Sequence, residues 1–296
     1  MTLPAPAGLG MTPRVECVRI GDYRLEEELT ASTSARTYRA THQVLPRQVV
    51  MKIASEARDA VGVMREACIL AALPHCGIVR VYETGRLGDH RTWFAAEVVE
   101  GLALENALQL GPLEVAVASG IVRDLAEILA YAHHRGVVHA GLLPDRVVLT
   151  TRTRGFPLCI TDWSAARTHD AQGIHMWEPG PYTAPEVVRG ELDDRADVFA
   201  LGAIAYRAFT GTAPDGAPIS ATAPHLPRSL TTLVDQMLAY DRWDRPSSAE
   251  VRAELAGVVA EPPPDLRIRR PKWTPPLTFA SDGDERNTVE DLSKPE

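Results

Sequence analysis

Residues 137–164, VVHAGLLPDRVVLTTRTRGFPLCITDWS, carry the most informative pattern in this chain. Two runs within them, DRVVLT and FPLCITD, are rich in β-branched and apolar residues and predict short strands. Upstream, residues 112–136 carry an apolar stripe at helical spacing and end on Gly136, which is typical of a helix C-terminus. The loop HAGLLPDR therefore connects a long helix to a strand pair.

The pattern differs on the two sides of residue 100. Before it, short β-type runs surround one amphipathic segment, residues 60–73, in which Val63, Ala67 and Leu70 recur at helical spacing. After it, apolar helical patterns dominate, at residues 195–211, 229–240 and 248–260. We therefore predict an α+β fold with two lobes: a small β-sheet lobe with one helix over residues 21–100, and a larger, mainly helical lobe over residues 101–260.

The two ends of the chain differ in composition from residues 21–260, which form the two predicted lobes. Residues 1–20 are rich in Pro, Gly and Ala, and residues 261–296 are dense in proline, then basic, then acidic. Such segments bury too little apolar surface to offset the entropy lost on ordering. We predict that both ends are flexible.

The overall composition excludes several classes of protein. The 296 residues are 45% hydrophobic, carry a net charge of −8 and include four widely spaced cysteines without a CxxC pair. This argues against a disulfide scaffold, a zinc ribbon and bulk nucleic-acid binding. Neither a signal peptide nor an apolar run of about 18 residues is visible, so we expect no membrane contact and a cytoplasmic location.

The order of motifs resembles a eukaryotic-like (Hanks-type) Ser/Thr protein kinase domain over roughly residues 21–260. Eight segments stand in that family's order: VVMK, REACILAAL, AAEVVEG, HAGLLPDR, ITDWS, YTAPE, RADVFALG and DRWDRPS. A single match of this kind would be weak, but eight with fitting gaps are specific. The resemblance implies the bilobal protein kinase fold, with residues 60–73 as its C-helix.

The resemblance also assigns roles to individual residues. It implies that Lys52 is the third-strand lysine, that Glu66 on the C-helix is its ion-pair partner, and that Asp162 is the metal-binding aspartate. Glu97 and Val99 correspond to the hinge that contacts an adenine-like ring through its backbone. The residues with a structural role in the family are His139, Trp163, Glu186, Asp197 and Arg245.

Several positions that carry the chemistry depart from the family pattern. The family's catalytic-loop aspartate, lysine and asparagine correspond here to Gly141, Leu143 and Arg146. The three glycines of the phosphate-covering loop correspond to Thr30, Ser32 and Ala35. Loss of the acid/base group alone lowers a rate by roughly 10²–10⁴. We therefore expect no efficient phosphoryl transfer.

Two interpretations of Lys52, Glu66 and Asp162 remain open. They form either a vestigial nucleotide site, with Asp162 on a metal, or a metal-free charge cluster in which Arg146 pairs with Asp162 and fixes the lobes. We favour the charge cluster, because a guanidinium supplies the positive charge that Mg²⁺ would give. We accordingly expect no cofactor, with weak binding of ATP and Mg²⁺ as the alternative.

The sequence thus predicts a member of the pseudokinase branch that acts as a binding scaffold or allosteric regulator. The expected partner is a protein: an active kinase, its client, or a phosphopeptide-reading domain that would recognise Thr288 in NTVED if it were phosphorylated. The alternative function is a weak or atypical ATP-dependent Ser/Thr kinase that uses Lys52, Glu66 and Asp162. A third is a small-molecule sensor in the old adenine cleft.

Overall fold

The computed structural model describes residues 18–150, 154–168 and 179–257, all within one compact unit. Most of the predicted N-terminal flexible segment and the whole predicted tail, with Thr288, lie outside the described residues. None of the helices in the described part of the chain combines the length and apolar character that a bilayer crossing needs.

The small lobe is an antiparallel six-stranded sheet with one helix. Its strands are ordered β1-β2-β3-β4-β6-β5, and helix α1 (Ala60–Ala72) connects β4 to β5. The strands are β1 (Arg19–Ile20), β2 (Tyr23–Ala31), β3 (Ala35–His42), β4 (Gln48–Ala54), β5 (Val81–Arg86) and β6 (Thr92–Glu97). Residues Val63, Ala67 and Leu70 of α1 are buried, as their helical spacing predicted.

The start of this lobe corrects the predicted boundary at residue 20. Arg19 and Ile20 pair with the beginning of β2 and belong to the sheet. Ile20 is buried in an apolar cluster on one sheet face that also contains Met51 and Trp93. Arg19 and Ile20 are therefore part of the small lobe, and a strand of two residues gives no periodic signal in the sequence.

The large lobe is mainly helical, and the predicted two-lobed α+β fold is confirmed. It contains the helices α2 (Leu104–Leu108), α3 (Val115–His134), α4 (Pro185–Val188), α5 (Asp194–Thr210), α6 (Ile219–Thr222), α7 (Arg228–Met237) and α8 (Ser248–Ala256). Short strands accompany them: β7 (Gly101–Ala103), β8 (Val137–Val138), β9 (Val147–Thr150), β10 (Leu158–Ile160) and β11 (Arg167–Thr168). Helix α5 is buried on nearly all sides and lies at the centre of this lobe.

Two small antiparallel sheets position the loops between the lobes. One has the order β10-β9-β7, and the other pairs β11 with β8. The first needs glycine at position 101, because a Cβ there would overlap the carbonyl oxygen of Leu149. These sheets place the loop 139–146 and the residues after β10 side by side, facing α1.

Candidate functional site

Three charged residues from separate elements meet between the lobes. Lys52 Nζ on β4 lies 2.7 Å from Glu66 Oε2 on α1 and 3.0 Å from Asp162 Oδ1 after β10. Lys52 reaches α1 because its neighbours Met51 and Ile53 point to the opposite sheet face, where they pack in the apolar cluster. The structure therefore brings together the three residues assigned to the nucleotide site.

Both oxygens of the Asp162 carboxylate accept hydrogen bonds from the protein, although 32% of the side chain is exposed. Its Oδ1 also accepts a hydrogen bond from the Ser164 backbone N–H at 3.1 Å. Its Oδ2 lies 3.3 Å from Arg146 Nε and accepts the Ser164 hydroxyl at 3.2 Å. Oδ1 therefore has two hydrogen-bond donors, and Oδ2 has one donor and an ion-pair contact with Arg146.

The charges around Asp162 and Lys52 stabilise their ionised forms. Burial alone would raise the pKa of Asp162, but the ammonium of Lys52 and the guanidinium of Arg146 outweigh it and hold that pKa well below its usual range. Burial alone would lower the pKa of Lys52, yet the carboxylates of Glu66 and Asp162 raise it above the ordinary value. Lys52 and Asp162 are thus ionised at neutral pH, whereas burial outweighs the ammonium of Lys52 at Glu66 and raises the pKa of that carboxyl above its ordinary value.

The loop that resembles a catalytic loop contains no acid/base group at position 141. Gly141 instead offers its backbone carbonyl to Arg146 Nη1 at 2.8 Å. Arg146 lies in the 3₁₀ turn Pro144–Arg146 and so bridges this loop to Asp162. Leu143, in the position of the family's phosphate-contacting lysine, is half-buried and carries no charge.

The donor set at this place does not fit a magnesium ion. Mg²⁺ requires oxygen ligands in a near-octahedral arrangement. Arg146 provides a cation where the family has a neutral amide oxygen, and both Asp162 oxygens already have donors within 3.3 Å. A divalent cation would have to displace the Arg146 guanidinium and overcome its repulsion.

The turn between β2 and β3 is closed by hydrogen bonds from the side chain of Ser32. The Ser32 hydroxyl donates to the Ala35 carbonyl at 2.9 Å and accepts the Ala35 N–H at 3.0 Å. The Ser55 N–H also donates to the Ser34 carbonyl at 3.0 Å, which ties the turn to the end of β4. A hydroxyl and backbone amides used in this way are not free to surround a phosphate.

Asp197 fixes the backbone at the start of the loop 139–146. Its carboxylate accepts the His139 N–H at 2.7 Å and the Ala140 N–H at 2.8 Å. Ala140 has a positive φ of 59°, a left-handed conformation that costs a non-glycine residue about 1–2 kcal/mol. His133 Nε2, 2.8 Å from Asp197 Oδ2, completes the support.

His139 and Trp163 form a buried aromatic pair beneath the charge network. Their ring centroids are 4.6 Å apart and the rings meet edge to face. Trp163 donates its indole N–H to the Ile160 carbonyl at 3.2 Å and its backbone N–H to Glu66 Oε1 at 3.3 Å. Burial, which outweighs the nearby carboxylate of Asp197, lowers the pKa of His139 to about 4, so its imidazole is neutral.

Glu186 and Arg245 form a buried bidentate ion pair in the large lobe. Arg245 Nη1 and Nη2 lie 2.6 and 2.9 Å from the two Glu186 oxygens, and both side chains are at most 1% exposed. Arg245 Nε also donates to the Ala239 carbonyl at 2.8 Å. The pair joins α4 to the segment before α8.

Arg154 is a functional candidate that the sequence did not indicate. From the loop between β9 and β10 it donates to the carbonyls of Cys76 and Ile78 at 2.7 and 2.8 Å, and it pairs with Glu97 at 2.6 Å. The Glu97 side chain, assigned to the hinge, thus joins the two lobes, while Val99 packs half-buried against the main core. No motif marks an arginine in this loop, and only the packing reveals it.

Comparison with known proteins supports the resemblance. A family model described as the protein kinase domain matches residues 23–255. The serine/threonine-protein kinase PknJ of Mycobacterium tuberculosis is 31% identical over 256 residues, which cover 81% of this chain and 42% of that protein. The kinase PkaA of Streptomyces coelicolor is 30% identical over 278 residues, covering 88% of this chain and 50% of that protein.

A third relative extends the range of organisms. The serine/threonine-protein kinase pkn2 of Myxococcus xanthus is 29% identical over 271 residues, 81% of this chain and 32% of that protein. The chain thus spans between 32% and 50% of the length of these relatives. The similarity covers the two-lobed domain and says nothing of what the rest of each relative contributes.

Proposed function

This chain belongs to the protein kinase domain family, and we propose that within this family it is a pseudokinase that acts by binding a protein partner. The observation that carries the proposal is the pairing of Arg146 with Asp162, at 3.3 Å. It places a protein cation where the family uses a divalent metal, and Gly141 leaves the acceptor hydroxyl without a carboxylate. Both changes oppose phosphoryl transfer, which depends on metal-assisted charge neutralisation and on orientation of the acceptor.

The contacts between the lobes support a scaffold function. At the front of the cleft, Asp162 of the large lobe pairs with Lys52 of the small lobe. At the back, Arg154 bonds to Glu97 and to two small-lobe carbonyls. A domain held on both sides by its own side chains presents one fixed surface without a nucleotide, which suits a protein that works by recognition.

A second candidate function, a weak or atypical Ser/Thr kinase, is favoured by one observation. The ion pair between Lys52 and Glu66, at 2.7 Å, is the arrangement that active kinases need for nucleotide binding. An enzyme of this kind would use Lys52, Glu66 and Asp162 without the usual base. The names of the relatives, all serine/threonine-protein kinases, agree with either candidate.

A nucleotide-binding experiment separates the two functions. Thermal unfolding of the whole chain is measured with ATP alone, with Mg²⁺ alone and with both. A ligand that binds only the folded form must raise the melting temperature. The pseudokinase proposal expects no magnesium-dependent rise, and a reproducible rise with ATP and Mg²⁺ together would contradict it.

A transfer assay provides the second readout. Incorporation of radiolabelled phosphate from ATP is compared between wild type, Lys52→Ala and Asp162→Ala, with Mg²⁺ or Mn²⁺ present. Incorporation that both substitutions abolish would establish the kinase and reject the scaffold. As a control, Arg91→Ala removes an arginine outside the cleft that pairs with Asp89 in the small lobe.

The class of partner follows from the same proposal. A kinase fold without transfer chemistry is expected to bind an active kinase or the client of one. The cytoplasmic location stays a prediction from the sequence.

A further inference from the structure

Two aromatic side chains are exposed on the large lobe. Among the described residues, Tyr240 and Trp243 are the aromatic side chains that solvent reaches most, with exposures of 72% and 70%. They lie three positions apart in the segment between α7 and α8. A single exposed apolar residue is normal on a protein surface, but large apolar side chains gathered in one place mark interaction sites.

The segment that follows α4 completes this surface. Arg189 Nη1 donates to the Tyr240 hydroxyl at 3.2 Å, and Arg242 Nη1 lies 3.0 Å from Glu191 Oε2. The exposed side chain of Val188, the last residue of α4, lies directly before this segment. The two segments thus form one continuous surface. Its exposed residues, which we call the aromatic–acidic patch, are Val188, Arg189, Glu191, Tyr240, Asp241, Trp243 and Asp244.

The patch is built on a rigid support. The buried guanidinium of Arg245 bonds to Glu186 on one side and to the carbonyls of Ala239 and Tyr240 on the other, at 2.8 and 3.3 Å. The Asp241 carboxylate accepts the Trp243 N–H at 3.0 Å and fixes the turn. A surface ordered before binding loses little entropy when a partner docks.

The charges of the patch select a basic partner. The guanidinium of Arg242 is already matched by Glu191 and Asp193, at 3.0 and 3.2 Å. The exposed carboxylates of Asp241 and Asp244 add negative charge to this surface. The rings of Trp243 and Tyr240 lie 5.0 and 5.9 Å from the guanidinium carbons of Arg242 and Arg189, distances at which an aromatic face attracts a cation. With Arg189 and Arg242 counted against Glu191, Asp193, Asp241 and Asp244, the carboxylates remain in excess on this surface.

We propose that the aromatic–acidic patch docks an arginine- or lysine-rich segment of a partner protein. The carboxylate of Asp244 pairs with the cations of that segment, and the rings of Tyr240 and Trp243 pack against its side-chain stems and charged groups. Tyrosine and tryptophan are the residues most enriched at the energetic centres of protein interfaces. The inference rests on the proposed binding function, for which it names the surface and the chemistry of the partner.

Fluorescence anisotropy with a fluorescein-labelled hexaarginine peptide tests the inference on the whole chain near physiological ionic strength. Trp243→Ala and Asp244→Lys change the patch. The matched controls are Leu110→Ala, an exposed apolar residue, and Asp22→Lys, an exposed aspartate on the small lobe. We expect each patch variant to bind the peptide about tenfold or more weakly than wild type, and both controls to bind it unchanged.

Four results would overturn the inference. The first is that the hexaarginine peptide binds wild type, Asp244→Lys and Asp22→Lys equally well, and the second is that it binds none of them. The third is that wild type prefers a hexaglutamate peptide. The fourth is that wild type forms a dimer which Trp243→Ala dissociates, because a second copy of the chain would then be the occupant. If Trp243→Ala fails to fold, Asp244→Lys carries the test. The readout is separate from nucleotide binding, so a magnesium-dependent ATP shift would reject the pseudokinase function without altering the peptide result.

Discussion

Replacement of Arg146 by asparagine, the amide that the family has at this position, is expected to create magnesium-dependent nucleotide binding. The substitution removes the guanidinium that lies 3.3 Å from Asp162 Oδ2 and supplies an amide oxygen. It leaves Asp162 Oδ2 with the Ser164 hydroxyl alone and removes a repulsive cation from the place of the metal. Arg146→Lys is the matched control, because it keeps the positive charge and should leave the protein insensitive to Mg²⁺.

The loss of stability expected for Arg146→Asn follows from the distance and exposure of the Arg146–Asp162 pair. Unit charges 3.3 Å apart attract by about 5 kcal/mol at an effective dielectric constant of 20. Both side chains are partly exposed, at 23% and 32%, and solvent screening with the cost of desolvation reduces the net contribution to about 1 kcal/mol. Without ligand, Arg146→Asn should therefore melt only a few degrees below wild type, at roughly 2–4 °C per kcal/mol.

The assay is thermal unfolding with ATP in excess, with and without Mg²⁺. At 100 times the dissociation constant a ligand adds about 2.7 kcal/mol of stability, which corresponds to roughly 5–10 °C for a domain of this size. We expect this rise for Arg146→Asn with ATP and Mg²⁺ together, and no rise for wild type or Arg146→Lys. Equal responses of the asparagine and lysine variants would refute the argument, because the charge at position 146 would then have no effect on the metal.

Three further outcomes concern folding. Arg245→Met leaves Glu186 as an unpaired buried charge and should cost about 3–5 kcal/mol in urea unfolding; a cost below about 1 kcal/mol would contradict the buried pair. Because burial lowers the folded-state pKa of His139 to about 4, below its unfolded value near 6.5, stability should fall by about 2 kcal/mol from pH 7 to pH 5. His139→Phe should remove that fall, and an unchanged slope would reject a neutral imidazole. Arg154→Ala should accelerate amide hydrogen exchange in residues 76–78, since two carbonyls there lose their donor; unchanged exchange would show that Arg154 does not hold the lobes.

The two-lobed fold could be predicted from the sequence because it is encoded in local patterns. Alternating and helical spacings are properties of neighbouring residues, and they predicted both the sheet lobe and the helices. The start of the sheet was the exception, because two residues, Arg19 and Ile20, are too short a strand to produce a periodic signal. Ile20 belongs to the sheet only through packing against residues far along the chain.

The candidate site also contains residues that the sequence predicts and one that only the structure shows. The motif order was enough to single out Lys52, Glu66 and Asp162, and the structure places Lys52 in contact with both carboxylates. Arg154 was missed because its partners Cys76, Ile78 and Glu97 lie more than 50 residues away. No periodicity or spacing encodes such a contact.

The amino-acid sequence by itself determined which chemical groups are present: no carboxylate at position 141, a guanidinium at position 146, and two aromatic residues near position 240. What these groups touch depends on how the elements pack. The tertiary structure brings Arg146 to Asp162, closes the Ser32 hydroxyl into its own turn, and leaves Trp243 in solvent. The reason is that residue identity is carried along the chain, whereas charge pairing and exposure depend on distances of a few ångströms that only the packing of separate elements sets.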